Sequence, residues 1–151
     1  MKIWITYFYN IRFLKPHQVP LSTAVWDPKW YSCGETGKAW MNKDSVIYGL
    51  RLEELNPKNC HAIECCPCPN KGNTDGNCDF LRSYSEGLRK LNFSEIYKKL
   101  ESIQKMVSKY TGEEAEIVLI VYETPQNPCS ERKPIMDWFQ QNGINIQELN
   151  I

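Results

Sequence analysis

Cysteine and histidine side chains are concentrated in one stretch of the chain, between residues 60 and 78. The candidate ligands in this stretch are Cys60, His61, Cys65, Cys66, Cys68 and Cys78. Thiolate and imidazole groups bind zinc and iron, and thiols can also form disulfides or act as nucleophiles. Core packing does not explain this density of thiols, because the stretch contains few aliphatic residues. The pattern therefore favours a bound metal over disulfides or reactive thiols.

The spacing of these cysteines favours structural zinc. Cys65 and Cys68 are separated by two residues, as in the tight turns that present two ligands to one tetrahedral zinc ion. The predicted ligand set is Cys60, Cys65, Cys68 and Cys78, with His61 and Cys66 as alternates. The first three of these cysteines also match the start of the plant-type iron–sulfur pattern. An iron–sulfur cluster and a metal-free loop therefore stay open as alternatives.

A second candidate site follows the apolar segment 117–122, where the chain continues ETPQNPCSER. This pattern predicts a buried strand, a short loop and a helix that begins near residue 132. Ligands bind at the carboxyl ends of strands in α/β sheets, and a helix N-terminus favours anions and makes a nearby thiol more acidic. We therefore predict Cys129 as a nucleophile, Ser130 as a helix cap and Arg132 as an anion clamp. The expected ligand carries a phosphoryl or carboxylate group.

A purely structural interpretation of the same segment stays open. Ser130 then only caps the helix, and Cys129 is a small buried side chain. Arg132 then pairs with Glu123 or Asp137. The spacing between the cysteine and the arginine is shorter than in the cysteine phosphatases, and no histidine lies nearby in the sequence to act as a base.

A third candidate is the segment 26–31 (WDPKWY), which follows a predicted strand at 19–25. If this strand is parallel to the strands at 2–9 and 117–122, the segment lies at the same edge of the sheet as the second candidate site. Asp27 and Lys29 then face the cleft, and Trp30 forms a stacking wall. The alternative is that the tryptophans fill the core.

Hydrophobic patterning along the chain predicts an α/β fold. Strands are expected at 2–9, 19–25, 46–52, 117–122 and 144–149, and helices at 79–91, 92–112 and 132–141; residues 30–44 are expected to form a loop. This order predicts one domain over residues 1–151, with a small three-layer architecture and a largely parallel sheet flanked by helices. The cysteine-rich residues, at about 56–78, form an irregular insert.

The charge balance and the hydrophobicity of the chain argue against several functional classes. The chain has 151 residues, with 18 basic and 18 acidic side chains, so no global positive field draws it to nucleic acid. No apolar run approaches the roughly 20 residues of a membrane helix, and no secretory signal pattern is present. We expect a cytoplasmic protein, a compartment in which clustered thiols favour metal binding over disulfides. A membrane is not an expected partner.

Several segments together resemble the domain of unknown function 488 family, in its branch with a Cys-Ser-Glu-Arg motif. They are KIWITYFYN, VPLSTAVWDPKWY, CDFLRSYSEGLRKLNF and IVLIVYETPQNPCSERKPIMDWFQQNGINI. The commoner family pattern is Cys-His-Arg, and Cys129 and Arg132 take its first and last places. Its histidine has no counterpart, because Ser130 and Glu131 stand there. The resemblance implies a compact α/β fold and no established reaction.

The functional hypothesis has two forms. In the first, the chain carries a zinc-stapled insert and a pocket for a phosphate-bearing small molecule or nucleic acid at Cys129–Arg132. In the second, it is a non-catalytic nucleic-acid or protein interaction module stapled by zinc, or an iron–sulfur protein.

The metal hypothesis predicts the composition of the purified protein. We expect a colourless protein with one zinc ion per chain, and a lower midpoint of thermal unfolding after chelation, because the insert has few apolar residues to order it. Elemental analysis and thermal unfolding with and without chelator check this. A brown protein would support iron–sulfur instead, and unchanged stability after metal removal would contradict a structural clamp.

Overall fold

The computed structural model describes residues 1–33, 41–43, 46–57, 79–127 and 130–151. The strands in these ranges are β1 (Ile3–Tyr7), β2 (Gln18–Ser22), β3 (Tyr31–Cys33), β4 (Met41–Lys43), β5 (Val46–Arg51), β6 (Glu116–Val121) and β7 (Gln147–Glu148). The α-helices are α1 (Asp79–Arg89), α2 (Phe93–Thr111) and α3 (Arg132–Gln141), and short 3-10 helices cover Phe8–Phe13 and Glu53–Leu55.

The sheet is built around β6, which lies between β1 and β2 and runs parallel to both. Ile120 of β6 is in register with Thr6 of β1 and Ser22 of β2. The order β5-β2-β6-β1-β7 is parallel throughout; β3 adds a further parallel strand to β5, and β4 pairs with β5 in the antiparallel direction. The predicted α/β fold with a largely parallel sheet is confirmed.

Side chains of the central strand β6 point alternately to the two faces of the sheet and are buried on both. Ile117, Leu119 and Val121 pack into the larger core, which contains residues of all three α-helices. Val118 and Ile120 pack into a smaller core on the opposite face. That face is covered by the 3-10 helix Phe8–Phe13 and by aromatic residues that follow β2. A parallel strand covered on both faces is continuously apolar, which is the pattern that predicts β6 from the sequence.

The boundaries of α2 are set by local capping contacts. Asn92 Oδ1 accepts a hydrogen bond from the Glu95 backbone N–H at 3.2 Å, which satisfies one free donor of the first turn. Gly112 adopts a left-handed conformation with φ of 76°, and its N–H donates to Ser108 O. The helix predicted between residues 92 and 112 is confirmed.

The loop predicted at 30–44 is wrong at both ends, because β3 and β4 lie there. Each is three residues long, and each is stabilised by pairing with β5. Tyr31 of β3 also lies over Gly49 of β5, and its hydroxyl donates to Leu50 O at 2.8 Å. A Cβ atom at position 49 would lie 2.0 Å from that hydroxyl oxygen, so the contact requires glycine. The β3–β5 pairing joins residues 16 positions apart, and β4 has only three residues, so a periodicity argument detects neither strand.

Other predicted boundaries differ by a few residues. The first predicted strand extends to residue 9, whereas β1 ends at Tyr7 and a 3-10 helix follows. The helix predicted at 132–141 has the observed bounds of α3.

Within the described ranges, no helix is both long and apolar enough to cross a lipid bilayer.

Candidate functional site

Thr23, which directly follows β2, connects the carboxyl ends of two strands to the start of α3. Its N–H and its Oγ1 lie 2.9 and 3.0 Å from Ile120 O, and the same Oγ1 lies 3.1 Å from Glu131 Oε1. Thr23 is completely buried, and Glu131 is only 2% exposed. The parallel pairing predicted for these strands therefore brings the end of β2 and the start of α3 together at one edge.

Arg132, the first residue of α3, is held at this edge by two neighbours. Its backbone N–H and its Nη1 each donate to Ser130 Oγ at 3.1 Å. Its Nε donates to the carboxylate of Glu148 in β7. The Arg132 side chain is 9% exposed and that of Glu148 is 19% exposed. The Ser130 hydroxyl thus accepts a hydrogen bond from the first turn of α3. Glu131 occupies the N-cap position itself, but its side chain makes no capping hydrogen bond.

Four side chains from three parts of the chain interact electrostatically here, and we call them the charged cluster: Glu123, Glu131, Arg132 and Glu148. Burial, reinforced by repulsion from Glu123, raises the pKa of Glu131 well above its ordinary value. Burial also raises the pKa of Glu123 and of Glu148, although the Arg132 guanidinium opposes the shift in both. The cluster therefore holds protons more tightly than exposed glutamates do.

The contacts of Thr23 are consistent with a protonated Glu131. A hydroxyl group has one hydrogen, so Thr23 Oγ1 cannot donate to both Ile120 O and Glu131 Oε1. Both contacts are satisfied when the Glu131 carboxyl donates to Thr23 Oγ1 and the hydroxyl donates to Ile120 O. A neutral Glu131 also avoids placing an unpaired charge in the interior.

Three buried polar atoms of the cluster have no hydrogen-bond partner within the described ranges: Arg132 Nη2, Glu123 Oε2 and Glu148 Oε2. Buried polar atoms in proteins nearly always have a partner, from the protein, from water or from a ligand. Buried water or a ligand is therefore the expected partner of these three atoms.

The three residues predicted to line a cleft in the segment 26–31 do not share one environment. Asp27 accepts a hydrogen bond from Ser22 Oγ at 2.5 Å and pairs with Arg51 of β5 at 2.6 Å. Lys29 is exposed. Trp30 is half-buried, with its ring edge-on to Phe8 at a centroid distance of 6.1 Å. Its ring contacts favour the interpretation of Trp30 as a core residue.

The predicted metal ligands, Cys60, Cys65, Cys68 and Cys78, lie outside the described residues, as does Cys129. Their roles stay predictions. In the part of the chain that the structure describes, no group of three or more His, Cys, Asp or Glu side chains is arranged to hold a metal ion.

Sequence reasoning identified Arg132 and Ser130 and named Glu123, which interacts electrostatically with Arg132, but it did not identify the ion pair with Glu148. Asp137, one of the two partners considered for Arg132, pairs instead with Lys133 at 2.9 Å. Glu148 lies in the predicted final strand, but its alternating pattern assigns no role to this residue, because Gln147 beside it is exposed. Thr23 has no sequence signal of its own, because its role depends on the pairing of β2 with β6.

Comparisons with protein-family models, with curated proteins and with solved structures gave no match. The resemblance to the domain of unknown function 488 family stays a prediction. The fold and the site together define a small α/β protein with a buried charged cluster at the carboxyl edge of its parallel sheet.

The raised pKa of Glu131 predicts a specific pH dependence of stability. From the ordinary glutamate value of 4.5 upward, the unfolded chain releases a proton that the folded state retains, so the free energy of unfolding should fall as pH rises through the folded pKa. The variant Glu131→Gln cannot ionise, and its amide can donate to Thr23. We expect it to have a weaker pH dependence and to exceed the wild type in stability at about pH 8.

Urea unfolding at several pH values measures this difference. Glu114→Gln is the matched control, because Glu114 is exposed and should keep the wild-type profile. Parallel profiles for the wild type and Glu131→Gln would show that Glu131 is ionised in the folded protein, contrary to the prediction.

Proposed function

We propose that the protein binds a phosphate-bearing small molecule at the charged cluster, with Arg132 contacting the phosphoryl group. One observation carries the proposal: Arg132 Nη2 is buried and has no partner within the described residues, at the carboxyl edge of a parallel sheet. This edge is where α/β proteins bind ligands. A buried guanidinium N–H without an acceptor is costly, so an acceptor oxygen is favoured at this point, and an anion makes a stronger, charge-assisted hydrogen bond to it than water does.

The geometry of the guanidinium supports this role. Nε is committed to Glu148, and Nη1 is committed to Ser130. These two contacts fix the plane of the group, and Nη2 is left as a donor with no partner among the described residues. Arginine is suited to phosphate recognition because its planar fork of donors remains oriented once part of it is held.

The balance of charge permits an anion despite three neighbouring glutamates. The positive charge of Arg132 offsets that of Glu148, and burial raises the pKa of Glu131 well above its ordinary value, which opposes a negative charge on that side chain. The backbone N–H groups at the start of α3 and the positive end of its dipole add attraction. An added anion therefore meets less repulsion than the number of acidic residues suggests.

Phosphate binding is the direct test. We expect inorganic phosphate to bind the wild-type chain in isothermal titration calorimetry, and Arg132→Lys to lose about tenfold or more in affinity. Lysine keeps the positive charge for Glu148 but is a point charge without a second oriented nitrogen. Circular dichroism and thermal unfolding establish that the variant is folded.

Lys133→Ala is the matched control, because it removes a neighbouring cation that is exposed and paired with Asp137. This variant should bind phosphate like the wild type. Absence of phosphate binding by the folded wild type, or equal loss in both variants, would contradict a site at Arg132.

The enzymatic form of the proposal assigns Cys129 as a nucleophile toward the bound phosphoryl or carboxylate group. This assignment is supported by the position of Cys129 in the sequence, three residues before Arg132 at the start of a helix. Alkylation at about pH 7 should then modify Cys129 faster than an exposed model thiol, and phosphate should slow it. Peptide mass mapping with Cys129→Ser as a control identifies the site. A rate no faster than that of the model thiol would leave a binding protein without this nucleophile.

The proposal also includes a structural zinc ion bound by Cys60, Cys65, Cys68 and Cys78. The sequence spacing of these cysteines is its only support. The same spacing supports the competing function, a non-catalytic nucleic-acid or protein interaction module with the zinc-bound insert as its contact surface. A cytoplasmic location is part of both forms, because the thiols must stay reduced. Retention of zinc without any phosphate binding would favour the interaction module.

A further inference from the structure

The three unpartnered atoms of the charged cluster specify more than an anion. Arg132 Nη2 is a donor, whereas Glu123 Oε2 and Glu148 Oε2 accept hydrogen bonds when their carboxyls are ionised. A group that satisfies the arginine and at least one glutamate must both accept and donate. The site therefore has a mixed hydrogen-bonding pattern, with its donor and its acceptors on different side chains.

A fully ionised oxyanion matches only the arginine part of this pattern. Its oxygens accept from Arg132 Nη2 but bring no hydrogen to the glutamates. Two negatively charged oxygens would then face each other in a buried site, where their repulsion is much less screened than in water. An oxyanion that retains one O–H group avoids this repulsion and satisfies both sides.

Glu123 is the acceptor best placed for such a ligand. Glu148 already accepts from Arg132 Nε, and Glu131 is engaged with Thr23. Glu123, which follows β6, is half-buried, and the described residues offer it no ion pair. Burial raises the pKa of Glu123 although Arg132 opposes the shift, so Glu123 serves as an acceptor above that raised pKa. The ionisable groups around the ligand are thus Glu123 after β6, Glu131 and Arg132 from α3, and Glu148 from β7.

We propose, on the basis of the phosphate site proposed above, that the protein selects a phosphoryl group that still carries a proton. Arg132 Nη2 donates to one phosphoryl oxygen, and the P–OH group donates to Glu123 Oε2. No covalent bond forms or breaks. Sulfate has the same tetrahedral shape but is fully ionised near neutral pH, so the site rejects it.

The test compares the two anions in the full-length chain. Calorimetric titrations with phosphate and with sulfate, at about pH 7 and constant ionic strength, should show phosphate binding about tenfold or more tightly. In Glu123→Gln, the amide can donate to a sulfate oxygen, so the affinity ratio should fall toward one. Glu114→Gln removes the same charge from an exposed position and should keep the wild-type ratio.

The outcomes separate this inference from the proposed function. Equal affinities of the wild type for phosphate and sulfate would overturn proton selection and leave the phosphate site in place. Failure of both anions to bind would overturn both proposals and favour a single buried water, which can accept from Arg132 and donate to both glutamates. The wild-type ratio needs no variant, so misfolding of Glu123→Gln would not remove the test.

A phosphomonoester identifies the source of the phosphoryl group. Glycerol phosphate at about pH 6, near the second pKa of a phosphomonoester, still carries P–OH on about half of its molecules. Tighter binding than inorganic phosphate would identify an ester as the ligand, and weaker binding would identify free phosphate. Both results support the P–OH contact when sulfate is rejected. Glycerol phosphate binding that strengthens as pH rises would overturn it.

Discussion

Burial of β6 on both faces is the constraint on which the rest of the domain depends. Residues 117–121 are fully inaccessible to solvent, so every backbone N–H and C=O of this strand must be paired within the protein. Parallel pairing with β1 and β2 meets that requirement on both edges. Because the three strands run in the same direction, their carboxyl ends meet at one edge of the sheet. The charged cluster lies where β2 and β6 end there and α3 begins.

The charged cluster at this edge of the sheet lowers the free energy of unfolding. Removing charges from water is unfavourable, and replacing a buried ion pair by apolar side chains is often neutral or stabilising. Stability therefore gives little reason to keep Arg132 and Glu148 together. The protein limits the cost by pairing these two residues and by favouring a neutral Glu131 beside Thr23. After these compensations, three buried polar atoms of the cluster still have no hydrogen-bond partner within the described ranges.

Prediction from the sequence succeeded where the signal was local. The bounds of α3 and the caps of α2 follow from apolar periodicity and from Asn92 and Gly112, which act within one helical turn. Prediction failed for β3 and β4, because three residues are too few to show a hydrophobic period, and β3 pairs with a segment 16 positions away. The candidate site shows the same division: Arg132 was identified from its position after a strand, but its ion pair with Glu148 joins residues sixteen positions apart.

The sequence by itself determined the fold class, the central strand and the edge at which the charged cluster lies, because hydrophobic periodicity and strand direction are encoded locally. Only the tertiary structure decided which groups meet at that edge. It placed three glutamates near Arg132, with Glu131 buried and Glu123 and Glu148 partly buried, and this loss of solvent raises their pKa values. The protonation state of a carboxyl depends on its solvation and on its neighbours in space. Neither can be read from the residue types along the chain.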